Sequence, residues 1–118
     1  MSRKRSGVID GREIAVRARD ILESKHGAET RVFDVRGISS VTDYTVVTTG
    51  NSPPHLKALF EEVRQVLKRE GADVFRKSGA PLSGWLLLDY VDAVIHIFDR
   101  ERREYYAVEE LWAAAPQL

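Results

Sequence analysis

Tyr44-Thr45-Val46-Val47-Thr48-Thr49-Gly50-Asn51-Ser52-Pro53-Pro54-His55-Leu56 is the stretch that decides the fold. Its first half, with Asp43 just before it, is dominated by β-branched residues and predicts a strand from Asp43 to Thr49. Its second half predicts a helix start. Ser52 suits the N-cap, and Pro53 suits the first helical position, where a missing N–H has no intrahelical partner anyway. Behind it Leu56, Leu59, Phe60, Val63, Val66 and Leu67 form the best helical stripe in the chain, and Gly71 stops it. A strand feeding a long amphipathic helix points to an α/β architecture, in which a right-handed crossover makes the strands joined by the helix parallel.

Toward the N-terminus, Asp10-Gly11-Arg12-Glu13 has the form of a capping box, and Ile14, Ala18, Ile21 and Leu22 follow on one helical face. His26-Gly27 ends this helix, with Gly27 the expected left-handed cap. Thr30 to Val35 predicts a strand with Phe33 and Val35 facing one way, and Gly37 with Ser39-Ser40 predicts a turn. Toward the C-terminus, residues 72–84 read as a loop in which Val74-Phe75 adds a short strand or a packing contact. Trp85-Leu86-Leu87-Leu88 is apolar on both alternations, which predicts a central strand covered on two faces. Ala93 to Phe98 forms a hairpin with it. Arg100 to Glu104 is charged, and Val108, Leu111 and Trp112 predict a short terminal helix ended by Pro116. The expected order is α-β-β-α-β-β-α: a single domain with a mixed sheet, two helices on one face, and the C-terminal helix or another chain on the other.

The chain of 118 residues fits one domain, with 43% hydrophobic and 31% charged residues. Lys and Arg total 18, as do Asp and Glu, and this balance argues against broad nucleic-acid binding. There is no cysteine, so thiol chemistry and disulfides are excluded. No apolar run approaches the length of a membrane span, and Met1-Ser2-Arg3-Lys4-Arg5 precedes no apolar segment of a secretory signal. The expectation is a cytoplasmic protein with no membrane contact, a basic flexible tail over residues 1–7 and a folded domain over 8–118. From Trp85 to Leu118, seven acidic residues face three arginines, so this end suits a basic protein partner.

The Gly50-Asn51-Ser52 junction faintly resembles the strand–helix entry of nucleotidyltransferases, the alternative enzymatic reading. That chemistry needs two carboxylates converging on a metal ion. Asp89 and Asp92 lie almost forty residues downstream at opposite ends of a tight turn, and Pro53 and Pro54 remove N–H donors a phosphate would use. His26, His55 and His96 have no metal-ligand spacing. No catalytic set, metal site or cofactor is expected. What remains is a surface: Trp85, Leu87 and Asp89 share one strand face, Leu86, Leu88 and Tyr90 the other, and His96 shares a face with Val94 and Phe98. Tyr105, Tyr106 and Trp112 add large amphipathic side chains.

Three blocks resemble the ribosomal silencing factor family, also called RsfS or Iojap. They are Asp43 to Ser52, Gly84 to Phe98, and Arg103-Glu104-Tyr105-Tyr106 through Leu111-Trp112, and His55-Leu56-Lys57-Ala58-Leu59 fits the start of that family's long helix. The resemblance covers about residues 10–115. It implies a nucleotidyltransferase-like fold without its catalytic carboxylates, and a translation repressor rather than an enzyme. Such a protein binds large-subunit ribosomal protein fourteen and blocks joining of the small subunit when nutrients are scarce, often as a homodimer. Two positions depart from the family: Val91 replaces the usual Gly of the turn, where a β-branched residue resists positive φ, and Ala107 replaces an acidic residue. On this reading the partner-binding residues are Asp43, His55, Trp85, Leu87, Asp89, Tyr90, Asp92, His96, Phe98, Glu104 and Tyr106. Arg3, Lys4 and Arg5 would add a minor rRNA contact.

Overall fold

The computed structural model describes residues 9–118. The basic Arg3-Lys4-Arg5 cluster and the expected tail over residues 1–7 lie outside them. In chain order the elements are α1 (Gly11–Ser24), β1 (Ala28–Asp34), β2 (Tyr44–Thr49), α2 (Pro53–Arg69), β3 (Arg76–Ala80), a 3-10 turn (Pro81–Ser83), β4 (Trp85–Asp89), β5 (Ala93–Phe98), α3 (Arg100–Tyr106) and α4 (Val108–Leu111). The sheet order is β1-β2-β5-β4-β3. β2 and β5 pair in parallel and the other neighbours are antiparallel, which is the mixed α/β sheet the sequence predicts.

Both long helices start as read. Asp10 and Glu13 close a reciprocal capping box at 2.9 and 3.0 Å, and the Ser52 hydroxyl accepts the His55 N–H at 3.2 Å. The end of α1 differs in detail. His26, not Gly27, takes the left-handed conformation (φ 69°), with Gly27 N–H returning to the Leu22 carbonyl at 2.8 Å. Gly27 is needed for another reason: a Cβ there would lie 2.5 Å from the Thr48 hydroxyl of β2.

Two corrections follow from the C-terminal half. The expected loop over residues 72–84 contains a fifth strand, β3. All five of its residues are exposed, so no apolar alternation marks it, and Gly79 adopts φ +91° where a Cβ would collide with the Trp85 carbonyl. The crossover through α2 therefore joins β2 to β3, and these two do run in the same direction. The Trp85 strand is antiparallel to β2, whose parallel neighbour is β5. Second, the charged Arg100–Glu104 segment is helical, because Asp99 caps it by accepting the Arg102 N–H at 2.7 Å. Ala107, at φ 48°, breaks α3 from α4.

The inner face of the sheet packs Val32, Val46, Leu86, Leu88, Ile95 and Ile97 against Ile14, Ala18 and Leu22 of α1 and Leu56, Leu59, Val63 and Leu67 of α2. On the outer face a smaller cluster joins Phe33, Val35, Val47 and Phe98 to Ala115, Val108 and Trp112. Residues 116–118 run along β1, where the Asp34 and Leu118 N–H groups bond to the Pro116 and Val32 carbonyls at 2.8 and 3.0 Å. The buried Arg103 guanidinium ties this layer to the sheet, gripping both Glu109 oxygens at 2.9 and 2.8 Å and donating to Thr49 Oγ1 at 2.8 Å. The C-terminal segment thus covers β1 and β2 and leaves β4 open. Leu86 and Leu88 are buried but Trp85, Leu87 and Asp89 are only half-buried, so the described residues do not provide the expected cover on both faces of β4.

The turn between β4 and β5 carries strain. Val91 sits at φ 73°, with Asp92 N–H bonded across it to the Tyr90 carbonyl at 2.9 Å and its own N–H held by Asp89 Oδ1 at 2.7 Å. This is the rarer, strained form of γ-turn, and a β-branched side chain is poorly suited to it. Val91→Gly should raise the unfolding free energy by about 1 kcal/mol, read by urea denaturation, since the relief of strain outweighs the added entropy of the unfolded chain. A destabilised variant would show that the turn holds Val91 without strain.

Candidate docking surface

The open half of the outer face is built by alternation along paired strands. Trp85 lies opposite Phe98, Leu87 opposite His96 and Asp89 opposite Val94. Phe98 is fully buried and forms the floor of an aromatic cluster. The Trp85 ring stacks on it with centroids 5.1 Å apart, His96 lies 3° from parallel to it at 5.8 Å, and Tyr106 from α3 packs against Trp85 at 4.5 Å. A shallow groove lined by Ser78, Gly79, Ser83, Trp85, Leu87 and Tyr106 crosses this cluster. Tyr106 is 47% exposed, and Tyr105 meets it edge-on at 5.0 Å.

One polar contact sits inside the cluster: the Trp85 indole N–H donates to His96 Nδ1 at 3.2 Å. Burial alone pushes the imidazole down to about 4, because the charged form would lose its hydration. His96 is therefore neutral near pH 7, with its proton on Nε2.

The acidic residues fall into two groups. Asp43 and Asp92 are exposed at the start of β2 and β5, where the Asp92 carbonyl accepts the Asp43 and Tyr44 N–H groups at 3.2 and 3.1 Å. Asp89 stands beside them but is already engaged by Arg76 at 3.2 Å. Glu104 is exposed on α3, in a cleft that also holds Glu29, Glu109 and Glu110. Arg103 holds the Glu109 carboxyl below the usual carboxylate range.

Three of the expected partner-binding residues are placed elsewhere. Tyr90 is 7% exposed on the helix side, and burial raises its phenol to about 12. Its alternation with Leu86 and Leu88 already sends it to that side. Phe98 supports the surface from below without reaching it. His55 is a local brace: Nδ1 accepts the Asn51 N–H at 3.0 Å and Nε2 meets the Lys25 carbonyl at 2.8 Å, linking the start of α2 to the end of α1. The groove residues Ser78, Gly79 and Ser83 were not expected, since they lie in the strand and turn that carry no apolar signal.

The Gly50-Asn51-Ser52 junction is an ordinary helix cap beside the end of β5, where Gly50 N–H bonds to the Phe98 carbonyl at 2.8 Å. Asp89 and Asp92 lie at the other end of that strand, roughly 17 Å away at a strand's rise per residue. The carboxylates and the junction do not converge as nucleotidyl transfer requires. Among the described residues no group of three or more His, Cys, Asp or Glu could hold a metal ion, and no helix is long and apolar enough to cross a membrane.

Fold and surface together define a small mixed-sheet α/β protein whose distinguishing feature is a half-open aromatic cluster on the outer sheet face. The family model described as "Ribosomal silencing factor during starvation" matches residues 9–118. A Haemophilus influenzae protein named ribosomal silencing factor RsfS is 34% identical over 94 residues, covering 80% of this chain and 92% of that relative. One of the same name from Halalkalibacterium halodurans is 29% identical over 110 residues, covering 93% and 94%. A crystal structure of a Chromobacterium violaceum protein superposes with a TM-score of 0.84 at 31% identity, covering 89% of this chain and 88% of that one. The chain belongs to the ribosomal silencing factor family, whose named role is regulatory rather than enzymatic.

The His96 environment has a measurable consequence. The unfolded chain takes up a proton below about pH 6.5 that the folded chain refuses until about pH 4. Stability should therefore fall as pH drops through this window, by about 3 kcal/mol in total. Urea denaturation at several pH values should show this component in the native chain and not in His96→Gln. Identical slopes for both would mean that the imidazole takes up its proton in the fold at the same pH as in the unfolded chain.

Proposed function

We propose that this protein silences ribosomes by seating the open face of β4 and β5 on ribosomal protein fourteen of the large subunit, which sterically blocks the small subunit from joining. The family supplies the ribosome as the site of action, and the resemblance supplies the ribosomal protein. The observation that carries the placement is the Trp85–Leu87–Tyr106 surface on the half of the sheet that the chain's own C-terminal segment leaves uncovered. A central aromatic anchor in a groove, ringed by charge, is how interfaces concentrate binding energy. On this reading the exposed carboxylates Asp43 and Asp92, at the other end of β5 from Trp85, and Glu104 on α3 would meet Lys and Arg of the partner and speed encounter. The setting is the cytoplasm under nutrient limitation, where repressing translation conserves resources. A homodimer through the same half-face would give that surface cover away from the ribosome.

Calorimetry with the isolated ribosomal protein and sedimentation of ribosomal subunits test this directly. Trp85→Ala should weaken binding by about 2–4 kcal/mol. Leu87→Glu, which changes a half-buried surface position and spares the Phe98 floor, should also abolish the block on subunit joining. A folded Leu87→Glu variant that binds and blocks like the native chain would defeat the placement.

The basic cluster Arg3, Lys4 and Arg5 adds an rRNA contact to this reading. Deleting residues 1–7 should weaken ribosome binding and flatten its salt dependence, by roughly 0.7–0.9 in log–log slope for each phosphate that is no longer neutralised. An unchanged slope would remove the tail from the interface.

A further inference from the structure

The docking reading depends on how the Trp85 indole is held, and its hydrogen-bond partner is a neighbour across the strand pair. Phe98 lies beneath both rings, nearly parallel to His96, and Tyr106 closes over the indole. Because Nδ1 accepts the indole proton, a neutral imidazole must carry its own proton on Nε2. Among the described residues Nε2–H has no hydrogen-bond partner.

We propose that His96 is a positioning residue of the docking face: it fixes the Trp85 indole through Nδ1 and offers Nε2–H to a backbone carbonyl of the docked protein. This inference rests on the docking reading above. A lone N–H on an open face is satisfied by water, but once a partner seals the groove it needs an acceptor or the complex loses stability. A main-chain carbonyl is the acceptor that every docked segment carries whatever its side chains, and it is the acceptor proposed for Nε2–H.

The surroundings keep this donor neutral. The charged and titratable groups on the same sheet face are Arg31 of β1, Arg76 of β3, Asp89 of β4, the Arg103–Glu109 pair that α3 and α4 set over Thr49, and the Tyr106 phenol of α3, while β2 and β5 contribute Thr45, Val47, Thr49, Val94 and Phe98. Burial alone depresses the imidazole, with no charge among these shifting it. A second proton would sit on Nδ1 and eject the indole N–H.

The test separates positioning from bulk. Phe at position 96 keeps the ring and can neither accept nor donate, whereas Gln can do both. Binding to the isolated ribosomal protein should weaken about 10–100-fold in His96→Phe and stay within about 3-fold of native in His96→Gln. Trp85→Phe, which keeps an aromatic ring but removes the donor together with part of the indole's packing area, should also weaken binding. Adding His96→Phe to it should cost less than the product of the two single effects. The Trp85 indole N–H resonance, with Trp112 as internal reference, should move in His96→Phe and hold its place in His96→Gln. Native affinity in His96→Phe, independent effects in the double variant, or an unmoved indole resonance would each overturn the proposal. If the folded native chain does not bind the ribosomal protein at all, the docking reading fails, and the donor role toward a partner fails with it. The indole resonance still decides whether His96 positions Trp85.

Discussion

The guanidinium of Arg103 decides which half of the outer sheet face is covered. Its fork holds Glu109 at the start of α4 on one side and Thr49 at the end of β2 on the other. A charge taken out of water this far is tolerated only when its donors are matched, and here the carboxylate and hydroxyl match them. The consequence is geometric. α3 and α4 are fastened over the ends of β1 and β2, Trp112 and Ala115 fill the space above Phe33 and Val47, and residues 116–118 lie along β1. Among the described residues, the segment after α4 runs along β1 and away from β4.

That uncovered half is not a polar surface. Trp85 and Leu87 face outward from a strand whose other alternation is core, and Tyr106 leans in from α3. Stacking on Phe98 already holds these rings in place, so the proposed docking would cost little side-chain freedom. The same contacts contribute to the fold, because Trp85 packs against the outer cluster as well as forming the surface.

Much of this was legible in the sequence, and the failures share a cause. Helices α1 and α2, strands β1, β2, β4 and β5 and the two caps follow from periodicity and end chemistry, all of which are local. β3 was missed because Arg76 to Ala80 buries nothing: it is a strand by pairing with β4, not by pattern. Missing it reversed the expected direction of the Trp85 strand. Arg103 stood in plain view within a charged run, but a lone arginine in sequence does not disclose that Glu109 and Thr49 wait to receive it. Tyr90 was the opposite case. Its alternation pointed to the core, and grouping it with the surface set aside that signal. The Val91 conflict, by contrast, was readable at once, since the turn imposes positive φ on a residue that resists it.

The edge strand favours the face, rather than the edge, as the place for the proposed docking. An open edge invites another strand to pair with it, and natural sheets discourage this with charge and irregular backbone. β3 does both. Arg76 and Lys77 occupy its first two positions, and Gly79 turns the backbone out of extended geometry further along. An incoming strand would meet charge at one end and lose register at the other. The side chains of β4 and β5, inward of that guarded edge, carry no such obstruction. On the proposed docking reading, recognition at this end of the molecule would be carried by side-chain shape, with Trp85 at its centre, and not by main-chain strand pairing.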